Sequence, residues 1–239
     1  MPTDLITDAD VRVVRVERLE LAFAPRPWPW ADRHRAEIDA HFTALRRDNP
    51  TLWNGRVLLM HSHALAGAVF RGAYLETDYA SLLAWRDWRF PDRDMRNSYS
   101  LAAVKSADGG FLLGVMNAHT ANAGHIYFPC GTPDPSDVIG GGVDLDASLR
   151  RELAEETGLD AGEFEPEPGW YTVFAGARIA QIKVLHARDT AAALRERAID
   201  HLRREQRPEL ADIRVVRSLA DLDPAMPKFV TAFLRNWWR

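Results

Sequence analysis

Glu152, Glu155 and Glu156 stand at i, i+3 and i+4 in the stretch LRRELAEETGL, residues 149–159. On a helix this spacing puts all three carboxylates on one face, where like charges repel by roughly a few tenths of a kcal/mol per pair. Thr157-Gly158 reads as a helix stop with Gly158 in the left-handed position, so Glu155 and Glu156 fall at the negative end of the helix dipole, where acids are disfavoured. Two local costs on one short helix point to a working site rather than to a solvated face. The chemistry that relieves both is divalent metal binding. Carboxylate oxygens are hard ligands, and Mg²⁺ takes a few of them together with waters and substrate phosphates. Leu149 and Leu153 form the apolar stripe expected to anchor the helix, and Arg151, four residues before Glu155, is expected to hold that carboxylate in place.

The run Arg151-Glu152-Leu153-x-Glu155-Glu156-x-Gly158-Leu159 matches R-E-U-x-E-E-x-G-U, with U aliphatic, and so resembles the second half of the Nudix box. Counted back by that family's spacing, the box's first Gly falls on Asp137 and its first Glu on Val143, while Gly142 keeps the glycine before it. YFPCGTPDPSDVIGGG looks like an insertion in the loop that leads into the helix, and Asp144 or Asp146 is the expected stand-in for the missing Glu. The resemblance implies a Nudix α/β/α sandwich around a mixed sheet. It also implies an enzyme that hydrolyses a nucleoside diphosphate linked to a moiety X, by water attack at phosphorus with Mg²⁺ or Mn²⁺. By motif position the metal ligands would be Glu152, Glu155 and Glu156, with Arg151 orienting Glu155. A base often lies in a later loop, and Glu205 and Glu209 in RREQRPELADI are the candidates.

The elements needed to position this helix are legible in outline. Residues 10–24 alternate as one long strand or two short ones, 30–47 have helical spacing, RVLLMHSHAL and GAVFRGAYLET read as strands, and DYASLLAWRDW as a helix capped by Asp78. The polar FPDRDMRNS places a domain boundary near residue 95: a small α/β extension over 1–95 and the Nudix domain over 96–239. The second half opens with a hairpin turning at Asp108-Gly109-Gly110, then GHIYFP, the acidic helix, a strand pair in WYTVFAGARIAQIKVLHA, a helix over TAAALRERAIDHLRREQ, a strand at IRVVRS and a closing helix in AMPKFVTAFLRNWW. No regular βαβ rhythm appears, so the class is α+β with a mixed sheet. Trp53, Tyr74, Trp85 and Trp88 are expected to give the extension a core of its own. The order of elements through NPTLWNGRVL and LETDYASLLAW resembles the N-terminal extension of Nudix hydrolases that act on UDP-glucose and UDP-galactose. This implies a UDP-sugar substrate, with ADP-ribose or dinucleotides as the alternative, and a non-catalytic nucleotide sensor or regulator as the rival from another class.

Composition excludes other classes. The 239 residues are 46% hydrophobic and 27% charged, ordinary for a globular chain. A formal net charge of −4 leaves no basic excess to neutralise phosphates, which argues against nucleic-acid binding. One cysteine, Cys130, precludes an internal disulfide and fits a reducing compartment. Neither a signal-like leader nor a membrane-length apolar run is apparent, so the expected location is the cytoplasm. The expected ligand is a small nucleoside diphosphate.

Further candidates surround the box. The amides of Gly141 and Gly142, in Gly140-Gly141-Gly142, are expected to reach substrate phosphate. Tyr127, Trp170, Tyr171 and Phe174 flank the box, and one of them, Tyr127 foremost, is a candidate to stack on a base, with core packing as the alternative. Cys130 precedes the box, and His61 and His63 share a strand face without a third ligand. Trp237 and Trp238 are expected to cover a core edge or a contact in a homodimer.

Overall fold

The computed structural model describes residues 11–239, and the stretch 1–10 read for a leader lies outside it. Val11–Val16 (β1) and Arg18–Phe23 (β2) lead into Pro29–Arg33 (α1) and Arg35–Asp48 (α2), then Arg56–Ala66 (β3), Val69–Asp78 (β4) and Tyr79–Asp87 (α3). Asn97–Lys105 (β5) and Phe111–Met116 (β6) form the expected hairpin, followed by the two-residue strands Ile126–Tyr127 (β7), Cys130–Gly131 (β8), Val138–Ile139 (β9) and Gly142–Val143 (β10). The acidic helix is Leu145–Thr157 (α4). Glu165–Pro166 (β11), Trp170–Ala175 (β12), Arg178–His186 (β13), Ala191–Leu202 (α5), Leu210–Val216 (β14) and Lys228–Trp237 (α6) complete the chain.

The strands form two mixed sheets. The larger runs β1-β12-β13-β5-β6-β14, with β13 and β5 parallel and its other principal neighbours antiparallel. Alternation along β5 turns Ser98, Ser100 and Val104 to one face and Tyr99 and Leu101 to the other. Tyr99 meets Phe229 of α6 edge-on, with ring centroids 5.8 Å apart. Val104 shares a small void with Leu153 of α4 and Ala198 of α5. Helices therefore cover both faces, the α/β/α layering of the expected sandwich. The smaller sheet, β3-β4-β2-β10-β9, meets the larger one where the Tyr74 hydroxyl donates to the Ser98 carbonyl at 3.2 Å.

The boundary expected near residue 95 does not separate two self-contained units. β1 pairs with β12 of the second half, and β9 and β10, from the loop leading into α4, pair into the sheet of the first half. The chain crosses between the sheets at Glu17, whose amide donates to the Ala68 carbonyl at 2.7 Å. Val11–Val16 and Arg18–Phe23 are thus two strands serving two sheets.

The aromatic core of the first half also divides differently. Trp85 is fully buried with Trp28, Trp30, Ile38 and Leu75 under α1–α3, and Trp88 packs at its margin. Tyr74 belongs to the core shared by the two sheets. It neighbours Leu75 on a strand, so the two side chains point to opposite faces. Trp53 is 77% exposed and belongs to neither core. The Asp78 side chain caps α3, accepting from the Ser81 amide.

Candidate active site

The acidic helix forms for reasons its sequence carries. Asp144 accepts from the amides of Asp146 and Ala147 at 3.0 Å each, Leu149 and Leu153 are buried against the sheet, and Gly158 ends the helix at φ 68°. The carboxylate Asp144 offers is therefore spent on capping, and Asp146 faces Arg150 at the surface at 2.6 Å. Val143, at the position of the missing first Glu, is itself buried in the core.

Arg151 supplies the correction. Its guanidinium turns to Asp137, with Nη1 on Oδ1 at 2.5 Å and Nη2 on Oδ2 at 3.1 Å, and then to Glu152 at 3.3 Å. It does not orient Glu155. A planar fork and a carboxylate make the stronger pair when both bonds run in parallel, and Asp137, 1% exposed, is fixed to receive them. A 3-10 turn over Pro135–Asp137 holds it there, closed by a capping box in which the Asp137 carboxylate accepts from the Asp134 amide. Arg151 and Asp137 stand fourteen residues apart in the chain, so their pairing carries no local signal in the sequence.

The three glutamates occupy different surroundings. Glu156 is 5% exposed, accepts from the Cys130 backbone amide, and keeps Oε2 buried without a partner. Burial raises its carboxyl well above the usual range, with the Glu152 and Glu209 charges adding to the effect. Glu152 is pushed up to about 7, chiefly by burial, with Arg151 opposing and Glu155 and Glu209 adding. Glu152 also lies against Gly131, where an added Cβ would overlap its carboxylate and force it to move. Glu155 is exposed, and its backbone carbonyl accepts from His201 Nε2 at 3.0 Å, a positive-capable ring at the helix end where the dipole calls for one. As placed, no three His, Cys, Asp or Glu side chains among the described residues stand close enough together to hold an ion.

Of the two candidate bases, Glu205 pairs with His201 at 3.2 Å in the turn after α5. Glu209 turns to the acids instead. It is raised above its ordinary value, first by burial, with His119 opposing and Glu155 and Glu205 adding. The structure thus brings Glu209 into the electrostatic field of the three glutamates and ties Glu205 to a neighbour.

Other expected site residues have structural roles. Gly140 and Gly141, at φ 59° and 82°, make the two-residue turn between β9 and β10, a turn that demands positive φ at both positions. The Gly141 carbonyl accepts from Phe23, and Gly142 pairs with Ala22, so these glycines fasten the loop to the smaller sheet rather than cradle phosphate. Tyr127 is buried beside Cys130 and Glu156, and its hydroxyl accepts from Asn122 at 3.1 Å, leaving no face open to a base. The Cys130 thiol is half-buried, and desolvation together with the nearby glutamates raises it well above its ordinary value. His61 bonds the Ala24 carbonyl and His63 packs on Phe70 and Phe174, so the two do not form a metal site. Trp237 and Trp238 pack on Phe111 and cover a core edge.

Burial of these acids carries a pH signature. For Glu152 the folded value of about 7 lies above the ordinary glutamate value of 4.5, so the native state binds the extra proton between them. That stability is full below the unfolded value and is lost as pH rises through the folded one. Metal-free protein should therefore lose melting temperature from about pH 5 to about pH 8, and Glu152→Gln should flatten the decline. Parallel melting curves for the two proteins would show that Glu152 does not sense this burial.

No protein-family model matches the chain, and no curated protein does. Among solved structures it is similar to the Nudix hydrolase RenU from M. smegmatis, at 15% identity over 59% of this chain and 81% of that one, with a TM-score of 0.38. A putative Nudix hydrolase family member from Chromobacterium violaceum aligns over 59% and 77% at 17% identity and a TM-score of 0.38. The MutT protein of Methanosarcina mazei Go1 aligns over 59% of this chain and 92% of its own, at 20% identity and a TM-score of 0.39.

Proposed function

We propose that the chain is a metal-dependent hydrolase of the Nudix type, splitting a nucleoside diphosphate linked to X into a nucleoside monophosphate and X-phosphate. The observation that carries this reading is the carboxylate cluster on α4, whose most buried member, Glu156, keeps an oxygen without a partner. A buried polar atom left unsatisfied is costly, and a hard cation satisfies it. The donor set, Glu152, Glu155 and Glu156, suits Mg²⁺ or Mn²⁺, and the match from Arg151 to Leu159 supports the same set. When bound, such an ion neutralises the diphosphate and lowers the pKa of the attacking water.

The chain's own residues do the rest. Asp137 fixes Arg151, and Arg151 in turn steadies Glu152. The Cys130 amide holds one oxygen of Glu156. Glu209 is the base that takes the proton from water as its oxygen attacks phosphorus and the bridging P–O bond breaks; burial raises its carboxyl, which makes it a better proton acceptor than an ordinary glutamate. The substrate is a nucleotide sugar, with a UDP-sugar preferred on the likeness of the first half to the extension of UDP-sugar hydrolases.

A second reading, a nucleotide sensor without hydrolysis, is favoured by one observation: the three donors do not converge as placed. One assay separates these readings. UDP-glucose should be cleaved to UMP and glucose 1-phosphate with Mg²⁺ and not in EDTA. A kcat/KM for ADP-ribose higher by about tenfold, some 1.4 kcal/mol, would remove the UDP-sugar assignment and leave the diphosphate hydrolase standing. Binding of both ligands without turnover of either would establish the sensor.

A further inference from the structure

An anionic nucleotide needs a surface for its base as well as ligands for its phosphates. Trp170 is buried, Tyr171 is covered by Arg15, and Phe174 packs among Phe70, His63 and Arg12. With Tyr127 also buried, the aromatic residues flanking the box present no open ring face.

Trp53 does. It is 77% exposed, and its indole lies over Gly55 so closely that a Cβ there would fall within the ring. One indole face is thus seated on backbone and the other faces solvent. The segment that carries it is hydrogen-bonded to the loops beside Glu209. The Asn49 amide donates to the His119 carbonyl at 3.1 Å, and Arg207 donates to the Thr51 hydroxyl and to Asn49 Oδ1 at 3.4 Å. Arg207 belongs to the loop that carries Glu209, and the Glu209 carbonyl accepts from the Asn117 amide at 2.8 Å. The Gly55 carbonyl accepts from the amide of Tyr79, a residue that feels the Glu209 charge. Residues 49–55, 117–120 and 205–209 are therefore one hydrogen-bonded rim around Glu209. Arg46 and Arg47, with Thr43 and Pro50, line an open basin of about 280 Å³ next to the segment and supply charge of the sign an anionic ligand requires.

We propose that Asn49–Gly55 is the base-holding wall of this site, with Trp53 as its stacking platform, an inference that rests on the nucleoside-diphosphate reading above. Stacking tolerates any base, because every base has a π-face, so the wall selects nucleotides over bare phosphates without choosing among them.

The test is binding of UDP, ADP and inorganic pyrophosphate to the full chain with Mg²⁺, for wild type, Trp53→Ala and Trp53→Phe. Trp53→Ala should weaken UDP and ADP by about tenfold or more and leave pyrophosphate unchanged, and Trp53→Phe should stay within about threefold. Indole fluorescence should be quenched by UDP in wild type and much less in Trp53→Ala. Equal affinities of wild type and Trp53→Ala for UDP and ADP, or an equal loss for pyrophosphate, would overturn the proposal and leave the hydrolase reading intact. A wild type that binds neither nucleotide nor pyrophosphate would remove both.

Discussion

Glu156→Gln should lower hydrolysis by about a hundredfold or more while the protein still folds. The substitution keeps the shape of the side chain and one acceptor oxygen for the Cys130 amide, and it removes the charge a divalent cation needs. Folding should not suffer, because the wild-type carboxyl is buried among Glu152 and Glu209 and the neutral amide escapes that repulsion. The metal-free variant should therefore melt at or above the wild-type temperature at pH 8. Mg²⁺ should raise the melting point of wild type and do so much less for the variant, since a ligand stabilises by RT ln(1 + [L]/Kd) only where it binds. Rate, metal-free melting point and metal-induced shift are three separate measurements. Wild-type turnover in the variant, or identical shifts with Mg²⁺, would place the chemistry elsewhere.

Asp137→Ala should cost about 3 kcal/mol of folding stability, the lower end expected when one partner of a buried ion pair is removed. Asp137 is 1% exposed, whereas the Arg151 side chain keeps 29% of its surface in water, which softens the penalty of leaving it unpaired. The same change also removes an acceptor for the Asp134 amide in the 3-10 turn. For a domain of this size the loss corresponds to a fall in melting temperature of roughly 6–12 °C. Asp137→Asn, which keeps an oxygen toward Arg151, should lose less. Urea denaturation of the three proteins decides the matter, and a loss below about 1 kcal/mol for Asp137→Ala would show that the pair is not a structural link.

The acidic helix was readable because its determinants are local: a cap at Asp144, a leucine stripe, a glycine stop and charges at fixed spacing. The same holds for the β5–β6 hairpin and for α3 with its Asp78 cap. What could not be read were contacts between residues far apart in sequence. Only the i+4 neighbour is visible on a helix, which points Arg151 to Glu155, yet Asp137 offers a fixed, buried and bidentate partner. Gly140–Gly142 carried a phosphate-loop composition, but a two-residue hairpin turn asks for the same residues. The boundary near 95 rested on a polar stretch, and nothing in that stretch records that β1 and β10 pair across it.

That exchange of strands bears on how the chain is made. β1 finds its partner only when β12 appears, since Val16 lies opposite Trp170, roughly 150 residues later. At about 5–20 residues per second this is a wait on the order of ten to thirty seconds on the ribosome. The smaller sheet meanwhile lacks β9 and β10 at the free edge of β2. An emerging chain thus carries two unpaired strand edges through most of its synthesis, and such edges are where growing polypeptides recruit chaperones or join one another. The interlock that seats the acidic helix in the finished protein therefore closes only after β12 has been made.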